Sequence, residues 1–360
     1  MAPGPRPTSA RSSSSGDLRK KARRRAQTGL EGDIPLLTAR EIFDLVRDDL
    51  ARVEQEISAQ NAEAIPAVAE VGSYVIQGGG KRLRPALLLL SAGLCGYRGS
   101  STIRLGAVME MIHTATLIHD DVIDETNLRR GRPSANSRWG NHRSVLAGDW
   151  LYMQSFQLAM RERNFRILDV LIELTQNMVE GELLQLDLIG RMDVTDRQAM
   201  ELSYRKTACL FSGCAQLGAV LASQDPETEQ AMADYGRFAG LEFQLVDDLL
   251  DFTSDPAKIG KPVLNDLKEG KVTLPLIYAL AHARPEEREL VASVLSEHAF
   301  APGQPERILD LVRRNGAIER ARSLAQDYAA QAKANLPNLP DSEYRRALLA
   351  VPDFLLDREN

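Results

Sequence analysis

Leu105-Gly-Ala-Val-Met-Glu110-Met-Ile112-His113-Thr-Ala115-Thr116-Leu-Ile-His119-Asp120-Asp121-Val-Ile-Asp124 contains no proline, and its apolar residues Leu105, Val108, Ile112 and Ala115 recur at three- and four-residue steps. That spacing predicts one buried face of an α-helix. At about 100° per residue, His113, Thr116, Asp120 and Asp124 share another stripe. A second segment, Gly240-Leu-Glu-Phe-Gln244-Leu-Val-Asp247-Asp248-Leu-Leu-Asp251, repeats the geometry with Gly240, Gln244, Asp247 and Asp251 at i, i+4, i+7 and i+11. Two apolar helices are thus predicted to present aligned carboxylates.

Outward from these segments the pattern stays helical. Thr38-Ala39-Arg40-Glu41 has the spacing of a capping box ahead of Ile42, Phe43, Leu45, Val46 and Leu50, which predicts a long first helix. Short breaks follow at 78–85, 96–100, 125–141, 190–196, 224–227, 255–270, 284–285 and 301–305. No run alternates apolar and polar residues as a strand would, and no short repeat recurs. The expected architecture is one all-α domain from about residue 34 to 360.

The chain has 360 residues, 44% of them hydrophobic, enough for a sizeable core. Its charge is unevenly placed. In residues 1–30 eight Arg and Lys side chains face one acid, Asp17, so this part carries +7 and the remainder −13 of a net −6. So acidic a body fits sequence-driven nucleic-acid binding poorly and can gather divalent cations. Residues 1–33 read as a disordered basic tail, a solvated extension that leaves room for contact with anionic lipid or RNA. No apolar run there suits a signal peptide, and the longest uncharged run, Thr207 to Gln224, is too short and too polar for a membrane span. Cys95, Cys209 and Cys214 have no metal-knuckle or disulfide spacing, and a reducing, cytoplasmic compartment is expected.

One Asp-Asp-x-x-Asp cluster is an ordinary solvated helix end; two on apolar helices are not. Like charges about 5 Å apart repel by roughly 3 kcal/mol per pair at an effective dielectric near 20, so six carboxylates around one cavity call for cations. Hard oxygen ligands with open positions suit Mg²⁺ carrying a substrate phosphate, and the ligands that zinc prefers are missing. Matching cations are present. Gly78-Gly79-Gly80-Lys81-Arg82-Leu83-Arg84-Pro85 joins a glycine hinge to three cations, although its order is not that of a P-loop. Arg129-Arg130-Gly131 follows the first cluster, Lys206-Thr207 lies on a middle helix, and Lys261 follows the second cluster. His119-Asp120 also reads as a paired ligand of a metal phosphohydrolase, but the remaining histidines lack a matching setting.

As a set, Gly79-Gly80-Lys81-Arg82-Leu83-Arg84-Pro85, Asp120-Asp121-Val-Ile-Asp124 with Arg129-Arg130-Gly131, and Asp247-Asp248-Leu-Leu-Asp251 with Gly260-Lys261 closely resemble the trans-prenyl diphosphate synthases of the all-trans polyprenyl type. The resemblance runs from about Ile42 to the C-terminus. It implies an isoprenoid synthase bundle of about ten or more helices around a central cavity, usually as a homodimer. It implies Mg²⁺-dependent condensation of isopentenyl diphosphate with an allylic diphosphate, with three Mg²⁺ per active site. Position by position, it assigns Lys81, Arg84, His113 and Arg130 to the diphosphate of isopentenyl diphosphate, and Arg129, Lys206, Thr207, Gln244 and Lys261 to the allylic diphosphate. Asp120, Asp124 and Asp247 would bind metal, with Asp121, Asp248 and Asp251 in support.

Product length should depend on how far a growing tail descends below Asp120. Thr116 and Ala115, on the flank that carries Ile112, are small, where short-chain relatives are expected to place an aromatic residue. A product of about six to ten isoprene units is therefore expected, on a floor of large residues such as Met153 or Phe156. The alternatives are a geranylgeranyl or farnesyl diphosphate synthase, a terpene cyclase, and a non-catalytic partner subunit. A cyclase would be expected to have replaced the second acidic motif, and a partner subunit to have lost one.

Overall fold

The capping box at Thr38 forms: the Thr38 N–H donates to the Glu41 carboxylate at 2.8 Å, and the Glu41 N–H to Thr38 Oγ1 at 3.3 Å. The helix that it starts, α1 (Ala39–Asp44), is short. In place of the long first helix expected, the chain leaves helical geometry at Val46 (φ −122°, ψ 11°) and restarts as α2 (Arg47–Ala62). The apolar stripe continues, but its halves meet different neighbours. Phe43 meets Phe354 edge-on at 6.2 Å, whereas Val53 of α2 packs against Gly106 in the middle of the chain's central helices.

The structure is a computed structural model that describes residues 37–254 and 263–357. The basic tail, Lys261 and Arg358 lie outside the described residues. After α2 come α3 (Pro66–Ile76), α4 (Leu83–Leu94), α5 (Ser101–Ile123), α6 (Ala135–Trp139), α7 (Asn141–Met160), α8 (Phe165–Leu188) and α9 (Asp196–Ser203). A π-helical turn (Tyr204–Ala208) leads into α10 (Cys209–Leu221) and α11 (Pro226–Thr253). Then follow α12 (Asn265–Lys268), α13 (Leu274–Leu280), α14 (Pro285–Glu297), α15 (Gln304–Arg314), α16 (Ala317–Asn335) and α17 (Glu343–Leu356). The fold is all-α, as expected.

One feature departs from the reading without strands. Leu128–Arg129 (β1) and Arg132–Pro133 (β2) form a small antiparallel ladder, closed by Arg130 (φ +52°) and Gly131 (φ +72°). Two successive positive φ values make the tight turn that suits a two-residue hairpin.

α4 and α5 are buried nearly all round: every residue of α4 from Pro85 to Leu94 is buried, and so are Leu105, Val108, Met109 and Ile112 of α5. Helices of that kind belong in the middle of a fold. α2, α7, α10 and α17 pack around them, and a second apolar cluster joins the later part of α11 to α13–α16. Another apolar surface stays uncovered. Val145, Leu146, Met153 and Met160 of α7 and Phe165, Ile172, Val179, Leu183 and Leu186 of α8 are all exposed.

Candidate active site

The carboxyl-rich ends of α5 and α11 open onto one cavity of about 610 Å³. Asp120, Thr116 and His113 reach it from α5, Gln244 and Asp247 from α11, and Lys206 and Thr207 from the π-helical turn. Leu117, Met178, Leu210 and Phe243 give it an apolar interior. Close packing explains how α11 meets the turn: a Cβ on Gly240 would lie 2.6 Å from the Ala208 Cα, so only glycine lets the two backbones approach so closely. Of this π-helical turn, Lys206 and Thr207 line the cavity, while Arg205 pairs with the exposed Glu180 and Glu201. Thr207 Oγ1 donates to Gln244 Oε1 at 2.7 Å, and Gln244 Nε2 donates to Asp248 Oδ1 at 2.8 Å. Lys206 Nζ lies 2.5 Å from Glu182 Oε1, 3.0 Å from Gln185 Oε1 and 3.9 Å from Asp120 Oδ2.

Burial pushes the Asp120 carboxyl up to about 7; Lys206 and Arg129 pull against this, while Glu182 and Asp124 reinforce it. Burial also raises Asp121 and, well above the usual range, Asp248. Ammonium groups already attend the acids: Lys271 Nζ bridges Asp124 Oδ2 at 3.0 Å and Glu269 Oε2 at 2.8 Å. Glu182 Oε2 is buried without a donor among the described residues. These hard oxygen groups, drawing cations from both sides, fit Mg²⁺. Among the described residues no group of three or more acidic, His or Cys side chains is arranged to hold a metal ion.

The basic wall comes from the Gly79–Pro85 loop and the small hairpin. Arg84 Nη1 donates to His113 Nε2 at 3.1 Å, which leaves the imidazole proton on Nδ1, and the guanidinium lies over the Phe211 ring at 5.2 Å. Burial, then the nearby arginines, holds His113 well below its ordinary range, hence neutral. Arg129 Nε pairs with Asp121 Oδ1 at 2.7 Å, and Arg130 reaches the Gly78 carbonyl at 3.4 Å. Lys81 Nζ lies 5.9 Å from the Phe354 ring of α17.

The polyprenyl synthetase profile matches residues 65–312. The chain belongs to that family. It is similar to octaprenyl diphosphate synthase of Escherichia coli K12, 38% identical over 322 residues that cover 88% of this chain and 98% of the relative. Its fold is similar to the crystal structure of a decaprenyl diphosphate synthase from Rhodobacter capsulatus (TM-score 0.84, 38% identity, 89% of this chain and 98% of that one). It is also similar to a polyprenyl synthase from Caulobacter crescentus complexed with calcium and isoprenyl diphosphate (TM-score 0.85, 35% identity, 90% and 98%). Among the described residues no helix is long and apolar enough to cross a membrane.

Within this polyprenyl synthetase several sequence expectations need restating. Asp251 turns from the cavity: its carboxylate caps α12, accepting the Asn265 N–H at 2.9 Å and the Asp266 N–H at 3.2 Å. Asp121 anchors Arg129, and Asp248 holds Gln244. Ile112 and Ala115 lie wholly in the core and do not line the cavity; Thr116 does. The expected floor is also displaced. Met153 is 67% exposed and Phe156 packs on the core, while Tyr152, just before Met153, lines the cavity, stacked on His119 at 6.0 Å. Gly148 makes room for that histidine, since a Cβ there would meet the ring at 2.2 Å. Glu182, Gln185, Tyr152 and Lys271 were absent from the sequence assignment. Glu182 and Gln185, one turn apart on an apolar helix, were the available signal.

Proposed function

We propose that this polyprenyl synthetase joins isopentenyl diphosphate to an allylic diphosphate, with Mg²⁺ bound by Asp120 and Asp124 on one side and Asp247 on the other, and releases a long trans-polyprenyl diphosphate. The supporting observation is one apolar-walled cavity whose mouth carries both acidic helices and a separate arginine cluster. Lys206, Thr207, Gln244 and Arg129 hold the allylic diphosphate, with Lys261 as a further contact by family resemblance. Lys81, Arg84 and Arg130 hold that of isopentenyl diphosphate, with neutral His113 orienting Arg84. Three Mg²⁺, when bound, would neutralise the allylic leaving group. The lysine and arginine side chains stabilise the same charge as it separates, and the apolar wall keeps water from the allylic cation. Attack by the isopentenyl double bond lengthens the chain by one unit, and the proton leaves with the departing diphosphate; no side chain acts as a nucleophile. The octaprenyl and decaprenyl synthases among the relatives support a long product.

The same reading makes the enzyme a homodimer. The exposed residues Phe165, Ile172, Val179 and Leu186 recur every seven positions along α8, beside the exposed apolar residues of α7. Monomeric proteins rarely expose apolar patches larger than a few hundred Å². Three buried cysteines, all free thiols, fit a cytoplasmic setting.

Asp120→Ala and Asp247→Ala test the metal clamp. Each should lower turnover at least about 100-fold with an unchanged melting curve, and a chelator should abolish wild-type activity. Undiminished turnover in either variant would remove its helix from the clamp.

A further inference from the structure

Arg82 caps the N-terminus of α4 with φ +50°, a left-handed backbone that costs an arginine energy. Gly79, at φ +76°, has already turned the chain once. The second turn separates neighbours: Arg84 lines the cavity, while Arg82 does not. Its guanidinium instead ties three helices to the loop. Nη1 donates to Glu110 Oε1 of α5 at 2.6 Å, Nη2 to the Ile76 carbonyl of α3 at 3.1 Å, and Nε to Glu54 Oε1 of α2 at 3.2 Å.

The two acids are unequal. The Glu54 side chain is 55% exposed and Glu110 only 7%, so water screens the first pair and hardly reaches the second. Glu110 also lies one helical turn before His113, the residue that meets Arg84. Successive turns of α5 therefore hold Arg82, at the N-cap of α4, and Arg84, in its first turn, and only the second of them lines the cavity. The negative charge of Glu110 acts on Arg82, Arg84 and Arg130 alike, and Asp121 serves Arg129.

We propose that Glu110 is a positioning residue for the isopentenyl diphosphate cradle: by holding Arg82 inward it fixes the left-handed step that aims Lys81 and Arg84. This rests on the assignment of that loop to isopentenyl diphosphate. Without the Glu110 charge, Arg82 keeps one exposed acid and a carbonyl, too little to hold a strained backbone and a half-buried cation. The loop then relaxes, and substrate binding suffers rather than chemistry.

Steady-state kinetics with each substrate varied in turn provide the test. Glu110→Gln, nearly isosteric, should raise KM for isopentenyl diphosphate about tenfold and move kcat and the allylic KM less than about twofold. Glu110→Asp should fall between, and Glu54→Gln should match the wild type. Arg82→Gln should reproduce Glu110→Gln, with the double variant no worse than either single change. Arg84→Ala in the same assay checks the assignment beneath the proposal. If it raises the allylic KM instead, that assignment falls and takes the proposal with it. If Arg84→Ala acts selectively on isopentenyl diphosphate while Glu110→Gln is silent, slows both substrates alike, or adds to Arg82→Gln, the positioning role is overturned and the assignment stands.

Discussion

Glu242 sits on α11, wholly buried, and neither carboxylate oxygen meets a donor among the described residues. Burial pushes its carboxyl up to about 9, Asp353 pushes the same way, and Lys333, 2.5 Å from Asp353, opposes both. Between its ordinary value of 4.5 and about 9 this carboxyl keeps its proton when folded and loses it when unfolded. Its stabilising contribution is therefore complete below about 4.5 and is lost as pH rises through about 9. Glu242→Gln should melt higher than the wild type at pH 8 and match it near pH 4. Equal melting curves at both values would show that Glu242 is already ionised and solvated. Glu242 was not singled out in the sequence, because nothing in Gly-Leu-Glu-Phe-Gln shows which face α17 will cover. Lys271 was missed for a similar reason: its 3.0 Å contact with Asp124 spans 147 positions. The aspartates were legible because helical periodicity alone aligns them, and Arg84 because it stands with Lys81 and Arg82 behind a run of glycines.

At the scale of elements, local signals survived where the chain decides its own geometry and failed where neighbours decide. The Thr38 capping box closes as read, yet the helix behind it breaks because α1 and α2 meet different partners. The chain-length residues follow the same logic. Thr116 and Ala115 are adjacent on α5, but 100° of helix turns one to the cavity and the other to the core. Thr116→Tyr should shorten the products of a normally melting enzyme. Ala115→Tyr should instead overpack the core at a cost of about 1–3 kcal/mol and melt lower. Chromatographic sizing of products beside thermal melts separates them; shorter products from Ala115→Tyr with a normal melt would place the tunnel wall at Ala115.

For the whole molecule, the exposed seven-residue spacing on α8 is the feature that one chain leaves unfinished. Ile172→Glu with Val179→Glu should shift the sedimenting species from twice to once the chain mass. A wild type that sediments as a monomer would contradict the dimer. The all-α architecture and the meeting of both acidic helices at one cavity were legible from periodicity, because each apolar stripe has to be buried against another helix. The cavity's shape was not, since Tyr152, Met178 and Leu210 reach it from helices far apart in sequence. The central claim, that this cavity elongates an allylic diphosphate with isopentenyl diphosphate, is tested most directly by incubating the pure enzyme with isopentenyl diphosphate, farnesyl diphosphate and Mg²⁺ and sizing the products. The account predicts trans-polyprenyl diphosphates of about six to ten isoprene units, and none with chelator present. Unchanged farnesyl diphosphate, a cyclised hydrocarbon, or a product that stops at four units would contradict it.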